Sequence, residues 1–97
     1  MNRASLTGAF SRSDALRFSP SGVPILEFSI FHASTQTEGG VARKIELEMD
    51  GLAVADIAKA LSGIEPGTQI KLEGFLAKKG AKNREIVFHA THFELTG

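Results

Sequence analysis

Apolar and polar residues alternate with a period of two along most of this chain, and the alternation breaks once. Period two is the signature of half-buried strands, so the chain is committed to sheet structure whose open edges must be closed or covered. Leu6, Gly8 and Phe10 alternate with Thr7 and Ala9 as a first strand, and the mixed run from Arg12 to Phe18 either extends it or wraps round it. Ser19-Pro20-Ser21-Gly22-Val23-Pro24 reads as a turn, because two prolines and a glycine preset its backbone. From Ile25 to Ala33, Leu26, Phe28 and Ile30 share one face, and Glu27, Ser29 and Phe31 the other. Ser34 to Gly40 is expected to be a hairpin loop, after which Ile45, Leu47 and Met49 point inward from a third strand.

The break follows Asp50, a suitable N-cap. Val54, Ile57, Ala58 and Leu61 recur at helical spacing, which predicts one amphipathic helix of about ten residues. Gly63 occupies the place of a C′ glycine. Glu65-Pro66-Gly67-Thr68 fits a type II turn, with Pro and Gly at its centre. Ile70, Leu72, Gly74 and Leu76 then resume the period of two, residues 78–84 form a hairpin tip, and Ile86, Phe88 and Ala90 lead a closing strand to about Leu95. Most of the phenylalanines fit core positions, notably Phe10, Phe28 and Phe88. The expected fold is all-β, a five-stranded antiparallel OB-fold barrel with one short helix between strands 3 and 4. At 97 residues the chain has room for one such domain, residues 1–97.

Several function classes drop out. With no cysteine, disulfide frameworks, thiol nucleophiles and cysteine–zinc sites are excluded. No apolar run approaches the ~20 residues of a membrane span. Met1-Asn2-Arg3-Ala4-Ser5 lacks the apolar segment of a secretory leader, so a cytoplasmic protein is expected. The glycines and lysines of 74–82 lack phosphate-loop spacing and join strand to strand rather than strand to helix. No G-x-S-x-G elbow is present. His89 and His92 lie three apart, which on a regular strand sends them to opposite faces and leaves His32 to complete any metal site. Glu46 and Glu48 share a strand face, as exposed strands often arrange. No catalytic residue, metal or cofactor is expected.

Nucleic-acid chemistry remains. Eleven basic and eleven acidic residues give a formal net charge of zero, but Lys78, Lys79, Lys82 and Arg84 crowd one stretch that holds no acid. An OB barrel binds single strands over its second and third strands, flanked by the 1–2 and 4–5 loops. Arg12 and Arg17 flank the first of those loops, Arg43 and Lys44 begin the third strand, and the basic stretch forms the last loop. Asp50, Asp56, Glu65 and Glu73 are expected to lie elsewhere. Phosphate neutralisation by such a patch releases counterions and supplies binding energy. A merely solvated hairpin tip is the plain alternative. Stacking has little material, with no Trp, no Tyr and seven Phe. Phe31, on the polar face, is the best stacking candidate; a place in a dimer interface or a second core suits it equally.

Asn2-Arg3-x-x-Leu6-x-Gly8, then Arg12, then Ser19-Pro20-Ser21-Gly22-Val23-Pro24-x-x-x-Phe28-x-x-x-His32 resembles the opening of the primosomal replication protein N family, PriB. Pro66-Gly67-x-x-Ile70-x-x-x-Gly74-Phe75, Ala81-Lys82-Asn83 and Val87-x-His89-Ala90 continue the likeness over nearly the whole chain. Ordinary bacterial single-stranded DNA-binding proteins share the opening but continue into a glycine-rich linker and acidic tail, which is not expected after Thr96-Gly97. The resemblance implies a homodimer of OB folds that binds single-stranded DNA during replication restart, contacts other primosome proteins and stimulates the restart helicase. It places Arg12, Arg17, Arg43, Lys78, Lys79, Lys82 and Arg84 on the DNA face. Val41 and Glu46 stand where relatives carry stacking aromatics, a loss of ~2–6 kcal/mol at ~1–3 kcal/mol per base. An OB-fold protein-interaction adaptor with little DNA affinity is the second reading. For the dimer, the strand around Leu6 to Phe10 is the candidate open edge.

Overall fold

The computed structural model describes residues 1–97. Its elements are β1 (Ala4–Ser13), β2 (Arg17–Phe18), β3 (Pro24–Glu38), β4 (Val41–Val54), α1 (Asp56–Ser62), β5 (Gln69–Gly80) and β6 (Asn83–Leu95). The strands are ordered β1-β5-β6-β4-β3-β2, and a further β1–β3 pairing closes the sheet into a barrel. Leaving aside the two-residue β2, this is the expected five-stranded OB barrel. With β2 counted, the helix follows the fourth strand instead of the third. The sheet is mixed, because β4 and β6 run parallel where Gly51 meets Phe88 and Leu52 meets His89. No helix is long and apolar enough to cross a membrane.

The barrel interior is apolar and continuous. Phe10, Leu26, Phe28, Ile30, Ile70, Leu72 and Phe88 are buried together, with Ala58 and Leu61 of α1 closing one end. Phe10 and Phe28 stack at 5.4 Å. Close approach leaves no room for side chains at three crossings: Gly51 lies under the Phe28 ring, Gly8 against the Phe31 carbonyl and Gly74 against the His89 carbonyl.

Four local expectations are corrected. Ser34–Glu38 is strand rather than loop, and β3 pairs with β4 up to Glu38↔Val41. Only Gly39 and Gly40 turn, both at positive φ of 59° and 81°, as a two-residue hairpin turn needs. The pattern misled because this arm stands clear of the barrel, so neither face alternates by burial. The arm stretches the molecule to 51 × 34 × 21 Å.

Asp50 caps nothing: β4 continues to Val54, since Gly51 and Ala53 fill narrow inward positions. Val54 is an exposed strand residue, and α1 starts at Asp56 after Ala55 at φ 61° with no side-chain cap. At the far end, Gly63 stays right-handed at φ −89° instead of turning left-handed. The type II turn is as expected, with Gly67 at φ 94° and the Thr68 amide donating to the Glu65 carbonyl at 3.2 Å. It is fastened to β1 by Gly67 N–H to Phe10 O and Phe10 N–H to Thr68 O, at 2.7 and 2.9 Å.

The fourth correction concerns the histidines. Glu73 pairs with His92 and Gly74 with Ala90, so Thr91 is an extra residue in β6. Phe75 pairs with His89, and Glu73 and Phe75 lie two apart on β5. His89 and His92 therefore share the outer face, because the bulge restores the phase that odd spacing broke. No three His, Cys, Asp or Glu side chains come together as a metal cluster.

Candidate nucleic-acid interface

The outer face of β3 and β4 is built from directly opposed residues, which share a face in an antiparallel pair. Ser29 meets Asp50, Phe31 meets Glu48, Ala33 meets Glu46 and Thr35 meets Lys44. Three carboxylates thus rise along β4 beside the exposed Phe31 ring, with Lys44 beyond them. Asp50, expected to lie elsewhere, stands at the foot of this row.

Arg12 reaches the face through another bulge. Phe10 pairs with Ile30 and Arg12 with Ser29, leaving Ser11 as the extra residue. Without it, period two would aim Arg12 at the core alongside Phe10. Instead its guanidinium donates to the hydroxyl of buried Ser29 at 3.1 Å, pairs with Asp14 at 3.1 Å and lies 3.7 Å from Asp50. Ser29 in turn donates to Asp50 at 3.1 Å. Arg12 and Lys79 border a cleft of 160 Å³ with Asp14, Glu27 and Asp50, so three acids face two bases.

Other expected cations are also engaged within the chain. Arg17 pairs with Glu27 at 3.3 Å, Arg43 with Glu38 at 2.7 Å and Lys79 with Glu85 at 3.8 Å. Arg43 moreover opposes Gln36 on the other face of the arm from Lys44. Lys78 bends its ammonium onto the Ala81 carbonyl at 3.1 Å and has no carboxylate partner. Lys44, Lys82 and Arg84 form no ion pair. The β5–β6 hairpin therefore holds Lys78, Lys82 and Arg84 together without a carboxylate on any of them, and Lys79 beside them.

Two features escaped the sequence reading. Asn2 behaves as an extra peptide unit: its amide donates to the Leu76 carbonyl at 2.6 Å and accepts from the Leu76 N–H at 3.1 Å. It thereby covers the β5 edge just past the end of its pairing with β1 at Gly74. Phe75 stacks on His89, with centroids 4.8 Å apart and planes within 10°. The signal for Phe75 was present, since it falls on the outward phase between Gly74 and Leu76.

The free edge of β1 lies two residues earlier than the expected Leu6 to Phe10. Ala4–Ala9 pairs with β5, and pairing with β3 begins at Ala9, so Ala4–Gly8 keeps its β3-facing side open. On that stretch the Thr7 carbonyl accepts from His32 Nδ1 at 2.6 Å, while His32 Nε2 meets the Ser34 hydroxyl at 2.7 Å.

An OB barrel with a basic strand-4–5 hairpin and a flanked outer face is the architecture of single-strand binders. Residues 2–92 match a family described as "another single-strand binding protein family". The replication restart protein PriB of Nitrosomonas europaea is 33% identical over 88 residues, covering 91% of this chain and 82% of that protein. That of Pectobacterium atrosepticum is 34% identical over 98 residues, covering 98% and 92%. The chain belongs to the PriB family of replication restart proteins, within the single-strand binding proteins. The solved three-dimensional structure of PriB from Ralstonia solanacearum superposes with a TM-score of 0.89 at 30% identity, over 100% of this chain and 99% of that one. The single-stranded DNA-binding protein of Thermus aquaticus shares the fold, with a TM-score of 0.80 at 24% identity over 100% of this chain and 50% of its own.

Proposed function

We propose that this chain is a non-enzymatic accessory protein of replication restart that binds single-stranded DNA. The observation that carries the reading is the β5–β6 hairpin, where Lys78, Lys82 and Arg84 have no carboxylate partner. A phosphodiester chain meets there a field that nothing internal cancels. Lys79 and Lys44 extend the track. Arg12, Arg17 and Arg43 join it by exchange, since their ion pairs are exposed and worth ~0–1 kcal/mol each. Phe31 offers a ring in the groove, directly opposite Glu48. The family adds a restart helicase and other primosome proteins as partners, with stimulation of the helicase as the outcome. A homodimer through the Ala4–Gly8 edge would pair the open side of β1. Sedimentation equilibrium giving a mass near 10.4 kDa at micromolar protein would remove the dimer.

Fluorescence anisotropy of labelled oligonucleotides at low and moderate salt tests DNA binding. Binding that weakens steeply with salt is expected. The second reading, a protein-interaction adaptor with little DNA affinity, is favoured by Glu46, Glu48 and Asp50 along the groove. Absence of binding at tens of micromolar protein would establish it over the first.

A further inference from the structure

We propose that Phe75, braced by His89, is the base-stacking platform of this chain; the proposal rests on the single-strand-binding reading above. Phe31 and Phe75 are equally exposed, at 39% each. Their surroundings differ in sign. Phe31 stands against Glu48, with Glu46 and Asp50 two residues to either side on the same strand face. All three lie within reach of the phosphate that a base stacked there must bring, inside the screening length of ~8 Å at physiological salt.

Phe75 stands opposite His89, with Ala77 and then Lys79 following on its own strand face. The acid on its other side, Glu73, is held by Lys71 at 3.5 Å. Leu52, half-buried, pairs with His89 on the adjoining strand and gives the platform an apolar flank. The His89 ring packs parallel to Phe75 and fixes its orientation, so little side-chain entropy is left to lose on binding. A base on the remaining face turns a two-ring column into a three-ring one.

Lys79 follows four residues along β5, ~13 Å at ~3.3 Å per residue. Lys79 is itself paired with Glu85 at 3.8 Å, and unpaired Lys82 lies beyond it at the hairpin tip, so one oligonucleotide following β5 meets the platform first and the tip cations after it. The geometry assigns base stacking to the same hairpin as the charge, rather than to Phe31 on the acidic β3–β4 face.

The chain has no Trp or Tyr, so a Phe75→Trp variant carries a single reporter. Its emission should be quenched on titration with oligothymidylate, whereas that of Phe31→Trp should change little. Phe75→Leu should weaken oligothymidylate binding about tenfold, ~1.4 kcal/mol, with the salt slope and the melting temperature unchanged. Against an abasic oligonucleotide of the same length, wild type and Phe75→Leu should bind alike.

Undiminished affinity of Phe75→Leu, or unquenched Phe75→Trp emission at saturating oligonucleotide, overturns the proposal. So does a drop of Phe75→Leu to monomer mass, which would assign the ring to a subunit contact. If wild type itself binds no oligonucleotide, the single-strand reading fails and this proposal with it. Binding by wild type with an unaffected Phe75→Leu sinks this proposal alone.

Discussion

Replacing Gly74 by alanine should damage the fold, whereas the same change at Gly80, six residues along the same strand, should not. A Cβ on Gly74 would overlap the His89 carbonyl oxygen, and would lie 2.9 Å from that carbonyl carbon and 3.2 Å from the Ala90 Cα. All three atoms are backbone, so no rotamer change relieves the clash. Carbon atoms rest at ~3.5–4.0 Å, and β5 and β6 must therefore part by more than about half an ångström. They part beside Ala90 and Phe88, both buried in the core. Overpacking of this kind costs ~1–3 kcal/mol, and each ladder bond broken with it ~0.5–1.5 kcal/mol. The sum, ~2–5 kcal/mol, is a large share of the ~5–15 kcal/mol of a typical domain. At ~4–8 °C per kcal/mol it lowers the melting temperature by at least ~8 °C.

A Cβ on Gly80 meets only the Asn83 Cβ at 4.0 Å, and Gly80 is not among the positive-φ glycines. Gly80→Ala should be neutral or stabilising by ~0.4–1 kcal/mol through the unfolded chain. Urea and thermal unfolding followed by far-UV circular dichroism measure both variants, since the chain has no Trp to follow. A Gly74→Ala protein within ~1 kcal/mol of wild type would show that the strands can part freely at this crossing. Equal destabilisation by Gly80→Ala would show that the clash is not the cause.

Lys82→Ala should weaken binding to all oligonucleotides by a similar factor, lower the log K against log salt slope by ~0.7 for each phosphate no longer neutralised and leave stability within about ±0.5 kcal/mol; anisotropy over a salt series reads the slope. The double change Glu46→Gln with Glu48→Gln should tighten DNA binding, since a unit charge ~8 Å from a phosphate in water costs ~0.5 kcal/mol. Two such charges make about fivefold, measurable by the same titration, and an unchanged affinity would place the DNA far from β4. Asn2→Ala should remove both bonds to Leu76, destabilise by ~1–2 kcal/mol and speed hydrogen exchange at the Leu76 amide. Protection of that amide in the variant would show that the amide bridge contributes nothing.

What the chain's own pattern made legible was whatever depends on near neighbours. Alternation placed Leu26, Phe28 and Ile30 inward, and they are buried. Pro66-Gly67 specified its turn because Gly at φ 94° is a local demand. The basic stretch was legible as a hairpin tip, since Gly80 and Asn83 pair across Ala81 and Lys82. The arm was not, because a polar ribbon carries no burial pattern for periodicity to read. Helical spacing at Val54 overlapped a strand that had not ended, and no cap residue marked the change.

Which cations stay unpaired could be known only from the folded chain. Arg12, Arg17 and Arg43 read as free cations until folding brings Asp14, Asp50, Glu27 and Glu38 beside them. Ser11 and Thr91 each slip one pairing by a residue, and with it turn Arg12 and His92 outward. A bulge is a property of two strands measured against each other, so neither strand's sequence contains it. The same holds for Phe75 on His89, far apart along the chain and 4.8 Å apart in the barrel. Composition and spacing determined the barrel and the site's ingredients. The cross-strand register, set by closure of the sheet, determined which ingredients meet a partner inside the protein and which are left for a ligand.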